Sequence, residues 1–342
     1  MKKKNIVISG IVASIIFTIF IAVKTLLSFY APYQGKNTGF TIRSGEGFSS
    51  INYRLSNKKF IDSARIFHYF AKYTNSLNRF KAGTYEIKPG MHMGNILEVL
   101  TEGVPILTSV TIPEGKNMFE IGQILEKNKI TSSKDFISEC RNQENIKKLG
   151  IKAPSIEGYL FPDTYKFAPN TPVKLIIKTM TNLFNKKTDH LNFDKTFLSK
   201  HQAIILASIV EKETGAKAER PTIAGVYLNR LKKKMRLQAD PTTIYGIWEG
   251  FDGNLRRKHL LQKTSYNTYK MSGLPLGPIA SPSLAAIKAV LQPKKHKYIY
   301  FVSKNDGTHI FTSTYKEHLK AVDYWQKTRH RRKGKSWRDL KQ

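Results

Sequence analysis

Residues 203–214 read AIILASIVEKET, an apolar run that ends abruptly in two glutamates. Ala203, Ile204, Ile205, Leu206, Ala207, Ile209 and Val210 leave no polar face wide enough for water, so the helix they predict is buried on most sides. Side chains three, four and seven residues apart share a helix face. Glu213 therefore stands in line with Leu206, Ile209 and Val210, and Glu211 in line with Ile204, Ala207 and Ser208. The wall behind Glu213 is the bulkier one. A carboxyl held against such a wall is hard to ionise, so its pKa is expected to rise toward that of a proton donor at neutral pH. Glu211 is the second candidate, because its small neighbours leave more room for a substrate.

The sequence around this run is helical from Pro172 onward. Leu175, Ile176, Met180 and Leu183 recur at helical spacing, and a further helix starts near Pro221 and carries Ile223, Val226, Leu228 and Leu231. Asp240-Pro241 reads as another helix start, with the aspartate as cap. Lys297–Val302 and Thr308–Phe311 read as paired strands, and Glu317–Trp325 as a closing helix. The tail from Lys327 to Gln342 carries eight Lys or Arg against one Asp and is expected to be disordered or surface-bound.

The first half has a different grammar. Gly39–Arg43 and Ala82–Lys88 alternate like strands and enclose two helical patterns, one through Phe48, Ile51 and Leu55, the other through Ile66, Phe67 and Phe70. TIRSGEGFSSI (41–51) aligns with TIPEGKNMFEI (111–121) at an offset of 70, with Leu55 on Leu125 and, after a one-residue slip, Ile61 on Ile130. A second Thr-Tyr strand, DTYKF (163–167), follows. Two related α/β units are expected, 38–103 and 104–170.

At the N-terminus, Lys2, Lys3 and Lys4 precede an uncharged run from Asn5 to Val23, and apolar residues continue to Tyr30. This exceeds the usual apolar core of a cleavable signal, which is the alternative reading, and suits a membrane helix of about 20 residues. The flanking lysines place residues 1–4 in the cytoplasm and everything after the helix outside. The expected division is a basic stub (1–4), a transmembrane helix (5–30), a linker (31–37), the two α/β units, a mainly helical domain (171–326) and a basic tail (327–342). The fold class is α+β, with a small β-sheet in the helical domain.

Composition narrows the chemistry. Among 342 residues, 57 Lys or Arg face 25 Asp or Glu, a net charge of +32, which calls for a polyanionic neighbour. Nucleic acid is disfavoured, because the chain after the first helix lies outside the cytoplasm and carries no nucleic-acid-binding signature. One cysteine, Cys140, forbids an intrachain disulfide and reads as a structural thiol on a helix. No CxxC, HExxH or His/Cys/Asp cluster occurs, so no metal and no cofactor are expected.

Four segments hold dense polar groups amid apolar surroundings: VEKET (210–214), YLNRL (227–231), LQADPTTIYG (237–246) and SYNTYKMSGLPLGPIASPS (265–283). The last is too rich in Gly and Pro for a helix. It serves either as a carbohydrate-binding loop, offering flat rings and planar amides, or as a structural tie between helices. Together with ERPTIAGVYLNRL (219–231), YIYFV (298–302) and HIF (309–311), these segments, in this order, closely resemble the endolytic murein transglycosylase (YceG-like) family over about residues 38–326.

The resemblance implies a single-pass protein of the inner (plasma) membrane with a periplasmic catalytic domain preceded by a LysM-like module. It implies cleavage of the MurNAc–GlcNAc bond within nascent glycan strands, leaving a 1,6-anhydro-MurNAc end and limiting strand length beside peptidoglycan synthases (penicillin-binding proteins). It implies one catalytic glutamate, with Glu213-Thr214 at the matching pair and Glu211 as a possible secondary carboxylate. Asn229, Gln238, Asp240, Tyr245, Tyr266 and Asn267 are implied substrate contacts. Arg230 reads as a carboxylate ligand or a salt bridge on its helix. In the LysM-like module, Ser44, Gly45 and Phe48 occupy the first turn, for glycan binding or for structure alone. The competing readings are a non-catalytic peptidoglycan-binding scaffold anchored in the membrane, and a water-using hydrolase with Glu219 or Asp240 as second carboxylate.

Overall fold

The structure is a computed structural model that describes residues 2–327 except 44 and 152. Ser44 and the basic tail after Lys327 therefore lie outside the described residues. The chain forms two compact units, residues 1–109 with 166–172, and residues 110–165 with 173–342. Segment 110–165 packs within the second unit.

The first unit begins with helix α1 (Lys2–Tyr30), within which Gly10–Tyr30 is long and apolar enough to cross a membrane. The apolar side chains of this stretch, such as Ile15, Phe17 and Phe20, are largely exposed. Then come β1 (Thr38–Ile42), α2 (Phe48–Asn57), α3 (Ala64–Tyr73), β2 (Gly83–Ile87) and α4 (Met93–Thr101). β1 and β2 pair antiparallel, Phe40 opposite Tyr85, and the helices close over one face to bury Ile51, Leu55, Phe67, Ile96 and Leu100.

The duplication expected from sequence recurs in the backbone. The next stretch runs β3 (Thr108–Thr111), α5 (Met118–Lys127), α6 (Ser133–Cys140), α7 (Gln143–Lys148) and β4 (Thr164–Phe167), with β3 beside β4. Thr41 bonds Thr84 across the first strand pair and Thr111 bonds Thr164 across the second, each at 2.9 Å. The Tyr85 hydroxyl donates to the carbonyl of Lys81, four residues back, as the Tyr165 hydroxyl does to that of Phe161. Gly45 and Gly115 share a left-handed φ of 76° and 74° at the strand-to-helix turn. Lys59 and Lys129 both end their helices at φ 58°, followed by matching bonds from Phe60 N–H to Leu55 and from Ile130 N–H to Leu125. Phe60, rather than Ile61, is thus the partner of Ile130, and the offset of 70 holds without a slip. Cys140 closes α6 and is buried.

The rest of the second unit is built on α9 (Lys200–Glu213), preceded by α8 (Val173–Thr188). A capping box between Ser199 and Gln202 starts α9, and every residue from Ala203 to Glu211 is buried. Thr214 turns extended and ends it. Around α9 stand α10 (Arg220–Lys232), α11 (Asp240–Gly246), the short α12 (Arg257–Leu261) and α13 (Leu284–Leu291). The segment 265–283 contains no helix, as its Gly and Pro content predicts. β5 (Tyr300–Ser303) and β6 (His309–Thr312) pair antiparallel, and α14 (Tyr315–Val322) follows them. The small sheet expected of the helical domain is this hairpin; every sheet among the described residues has two strands.

Candidate active site

Glu213 is the last residue of α9, half-buried, and its Oε1 accepts a hydrogen bond of 2.6 Å from the Tyr227 hydroxyl of α10. The sequence placed an apolar wall behind this carboxyl; the structure adds a phenol in front of it. Burial first, then the Glu213 charge and this bond, pushes Tyr227 well above the ordinary tyrosine range, so it stays a donor at any physiological pH. Tyr269, in the 265–283 loop, bonds one carboxylate and feels the charge of a second. Its hydroxyl donates to Asp240 Oδ1 at 2.7 Å, and burial, then Asp240, then Glu213 raise its pKa. Glu213, Tyr227, Tyr269 and Asp240 thus form one cluster, contributed by α9, α10, α11 and the loop.

Glu211 has a different surrounding. It is buried, and its Oε1 accepts from Arg220 at 2.6 Å while Oε2 accepts the backbone N–H and hydroxyl of Ser283. Arg220 also donates to the Ser283 hydroxyl at 2.9 Å. Both carboxylate oxygens are thereby engaged in bracing α9 against α10 and α13. Glu219 is likewise engaged, by the His309 ring at 2.7 Å and the His309 N–H at 3.0 Å.

The other sequence-nominated residues divide by exposure. Asp240 and Gln238 are exposed, Gln238 at a left-handed φ of 51°. Asp240 is not the cap of α11: Ala239 holds that position without a side-chain bond, and the Asp240 carboxylate turns to Tyr269 instead. Tyr266 is half-buried, its ring 4.7 Å from that of Tyr245. Asn267 is fully buried, its amide nitrogen donating to the carbonyls of His259, Leu260 and Gln262 and its oxygen accepting from Thr243. Asn229 donates to the carbonyls of His296 and Tyr298. Arg230 donates to the carbonyls of Ile299 and Leu237, which is neither role expected for it. These three hold the hairpin and the loop in place.

Sequence reasoning missed Glu157, although a lone carboxyl in SIEGYLF is visible as such. It is fully buried and accepts from Met118 N–H at 2.9 Å, the Tyr245 hydroxyl at 3.0 Å and Gly158 N–H at 3.3 Å. Burial raises its pKa from 4.5 to about 7 against the pull of these donors. The fold therefore favours the neutral acid. The stability this contributes is present below about pH 4.5 and is lost as pH rises to about 7, a total of about 3 kcal/mol. Denaturant unfolding of wild type and Glu157→Gln at pH 5 and pH 8 measures most of it: the stability of wild type relative to the variant falls by about 2.5 kcal/mol between the two. A constant difference contradicts the assignment.

Similarity to known proteins coincides with this geometry. The model of the YceG-like family matches residues 40–324. An endolytic murein transglycosylase of Bacillus subtilis (strain 168) is 35% identical over 319 residues, covering 88% of this chain and 88% of the relative. An endolytic murein transglycosylase of Streptococcus pneumoniae serotype 2 is 27% identical over 319 residues, with 82% of this chain matching 57% of that longer protein. The crystal structure of a yceG-like protein from Listeria monocytogenes superposes with a TM-score of 0.56 at 32% identity, covering 83% of this chain and 99% of that one.

Proposed function

The chain belongs to the YceG-like family, and from that premise we propose that it is an endolytic murein lytic transglycosylase in which Glu213 is acid and then base. Its substrate is the glycan strand of peptidoglycan. It cleaves the MurNAc–GlcNAc bond within nascent strands, beside the synthases that make them, leaves a 1,6-anhydro-MurNAc end and so limits strand length. Protonated Glu213 donates to the bridging oxygen as the bond to the anomeric carbon breaks. The resulting carboxylate takes the proton of the C6 hydroxyl of the same MurNAc, and that oxygen closes the anhydro ring. Tyr227, a permanent donor on Oε1, fixes the orientation of the carboxyl through both steps. Asp240 of this cluster and Gln238, both exposed, and half-buried Tyr266 are the proposed substrate contacts.

The observation that carries the assignment of Glu213 over Glu211 is the engagement of Glu211: it is buried, and both of its oxygens are held, one by Arg220 and the other by Ser283. A carboxyl with both oxygens held inside the protein has neither available for a glycosidic oxygen.

The remaining parts of the proposal concern placement. α1 is the membrane anchor, N-terminus inside, and both units lie outside the cytoplasm; its apolar exposed surface and Lys2–Lys4 support this. The first unit is a LysM-like module, supported by its strand–helix–helix–strand order with the two strands paired.

One observation favours a water-using cut: Asp240 bonds the Tyr269 hydroxyl and the Glu213 charge also raises the pKa of that group, so a second carboxylate acts in the neighbourhood of Glu213, as a water-using glycosidase requires. Mass spectrometry of the products from uncrosslinked glycan decides. Every new end is expected in anhydro form, with no water gained per cut; ends one water heavier identify hydrolysis.

A further inference from the structure

The structure contains an aromatic groove whose centre, Trp248, the cleavage step does not use. Two cavities, of about 360 and 690 Å³, meet at Trp248, just past the C-terminal end of α11. The smaller is walled by Lys212 and Pro241, the chain neighbours of Glu213 and Asp240, and continues along α11 through Ile244 to Trp248. At 1.5 Å per residue this path is about 10 Å long, the reach of a short oligosaccharide. The half-buried indole stacks on Phe119, 5.9 Å between centroids and 15° between planes. Beyond it the larger cavity is rimmed by polar groups, among them Gln262, Glu249 and Arg141, whose guanidinium lies over Phe119 and reaches Glu249 at 3.2 Å. Tyr245, shared by both cavities, is locked by its bond to buried Glu157.

Fixed aromatic faces with planar amides and charged groups at the rim are what amphipathic sugar rings require, and a rigid wall binds without an ordering penalty. We propose that this groove, centred on Trp248, is a glycan subsite that holds sugars of the strand remote from the cut bond and so makes binding depend on strand length. The proposal rests on murein glycan being the substrate.

The test is equilibrium binding by the full chain in detergent carrying Glu213→Gln, with a murein tetrasaccharide and with long uncrosslinked strands as probes. Long strands are expected to bind at least about 10-fold tighter than the tetrasaccharide, corresponding to about 1.4 kcal/mol. Trp248→Ala in the same background is expected to erase that advantage, and Trp248→Phe, which keeps a flat face and guards against a folding defect, to restore most of it. The groove assignment fails if the advantage survives Trp248→Ala, if both lengths bind alike with Trp248 present, or if sugar-free stem peptide binds in a Trp248-dependent way. Absence of binding at any length refutes the glycan substrate itself, whereas strand binding indifferent to Trp248 refutes the groove alone.

Discussion

Glu213→Gln is expected to reduce release of anhydro-ended fragments by about 1,000-fold while leaving the protein folded. General acid–base catalysis by one positioned group contributes roughly 10²–10⁴-fold, and in the proposed mechanism the same group serves both proton transfers, so no other residue compensates. The amide keeps the shape of the carboxyl, and its oxygen still accepts from Tyr227, whose hydroxyl remains protonated. Half-burial at the end of α9 means that no packing is lost either. Single-turnover assays on uncrosslinked strands, with thermal unfolding as control, separate the outcomes. A variant within 10-fold of wild type removes Glu213 from the mechanism. Loss of folding together with activity makes the residue structural.

The parts of this fold that were legible in the sequence are those set by local pattern. The buried run 203–210, the Thr-Tyr strands and the offset of 70 are repeats of side-chain type along the chain, and each maps onto an element with its own hydrogen bonds. The slip placed at Ile61 arose because apolar type alone cannot tell Phe60 from Ile61, both of which are buried; the left-handed Lys59 sets the register, and a lysine gives no hint of a positive φ. Glu213 was legible because helical spacing relates it to its own helix. Its partner Tyr227 and the Tyr269–Asp240 contact were not, since they join elements 14 and 29 residues apart whose packing no periodicity encodes. Asn267 and Asn229 show the converse. Planar amides in polar segments look like ligand contacts, but carbonyls of neighbouring segments require donors, and these side chains supply them. Trp248 drew no notice because a lone aromatic after a helix is ordinary until two cavities are seen to share it.

Breaking the brace beneath the site should cost more stability than any surface change. Arg220 and Glu211 are both buried, paired at 2.6 Å, with Ser283 bonded to each. Glu114 is the other carboxylate near Arg220, at 3.7 Å and about half exposed. Arg220→Met strips the guanidinium and leaves Glu211 as a buried charge held by Ser283 alone, a loss of about 3–5 kcal/mol. Glu211→Gln leaves the reverse, a buried cation facing an amide, at a similar cost. The double variant removes both charges, and the amide oxygen still accepts from Ser283, so it should recover about a third of the summed loss. Denaturant unfolding of the four proteins forms a double-mutant cycle, in which the coupling is expected to be about 2–3 kcal/mol. Additive losses mean that the two charges act separately and that the brace is not a unit. The same cycle read by activity separates the two glutamates. On the proposed assignment Glu211 acts on the reaction by holding the last turn of α9, so the double variant should regain activity together with stability. A restored fold with no activity would instead make Glu211 a participant in the chemistry.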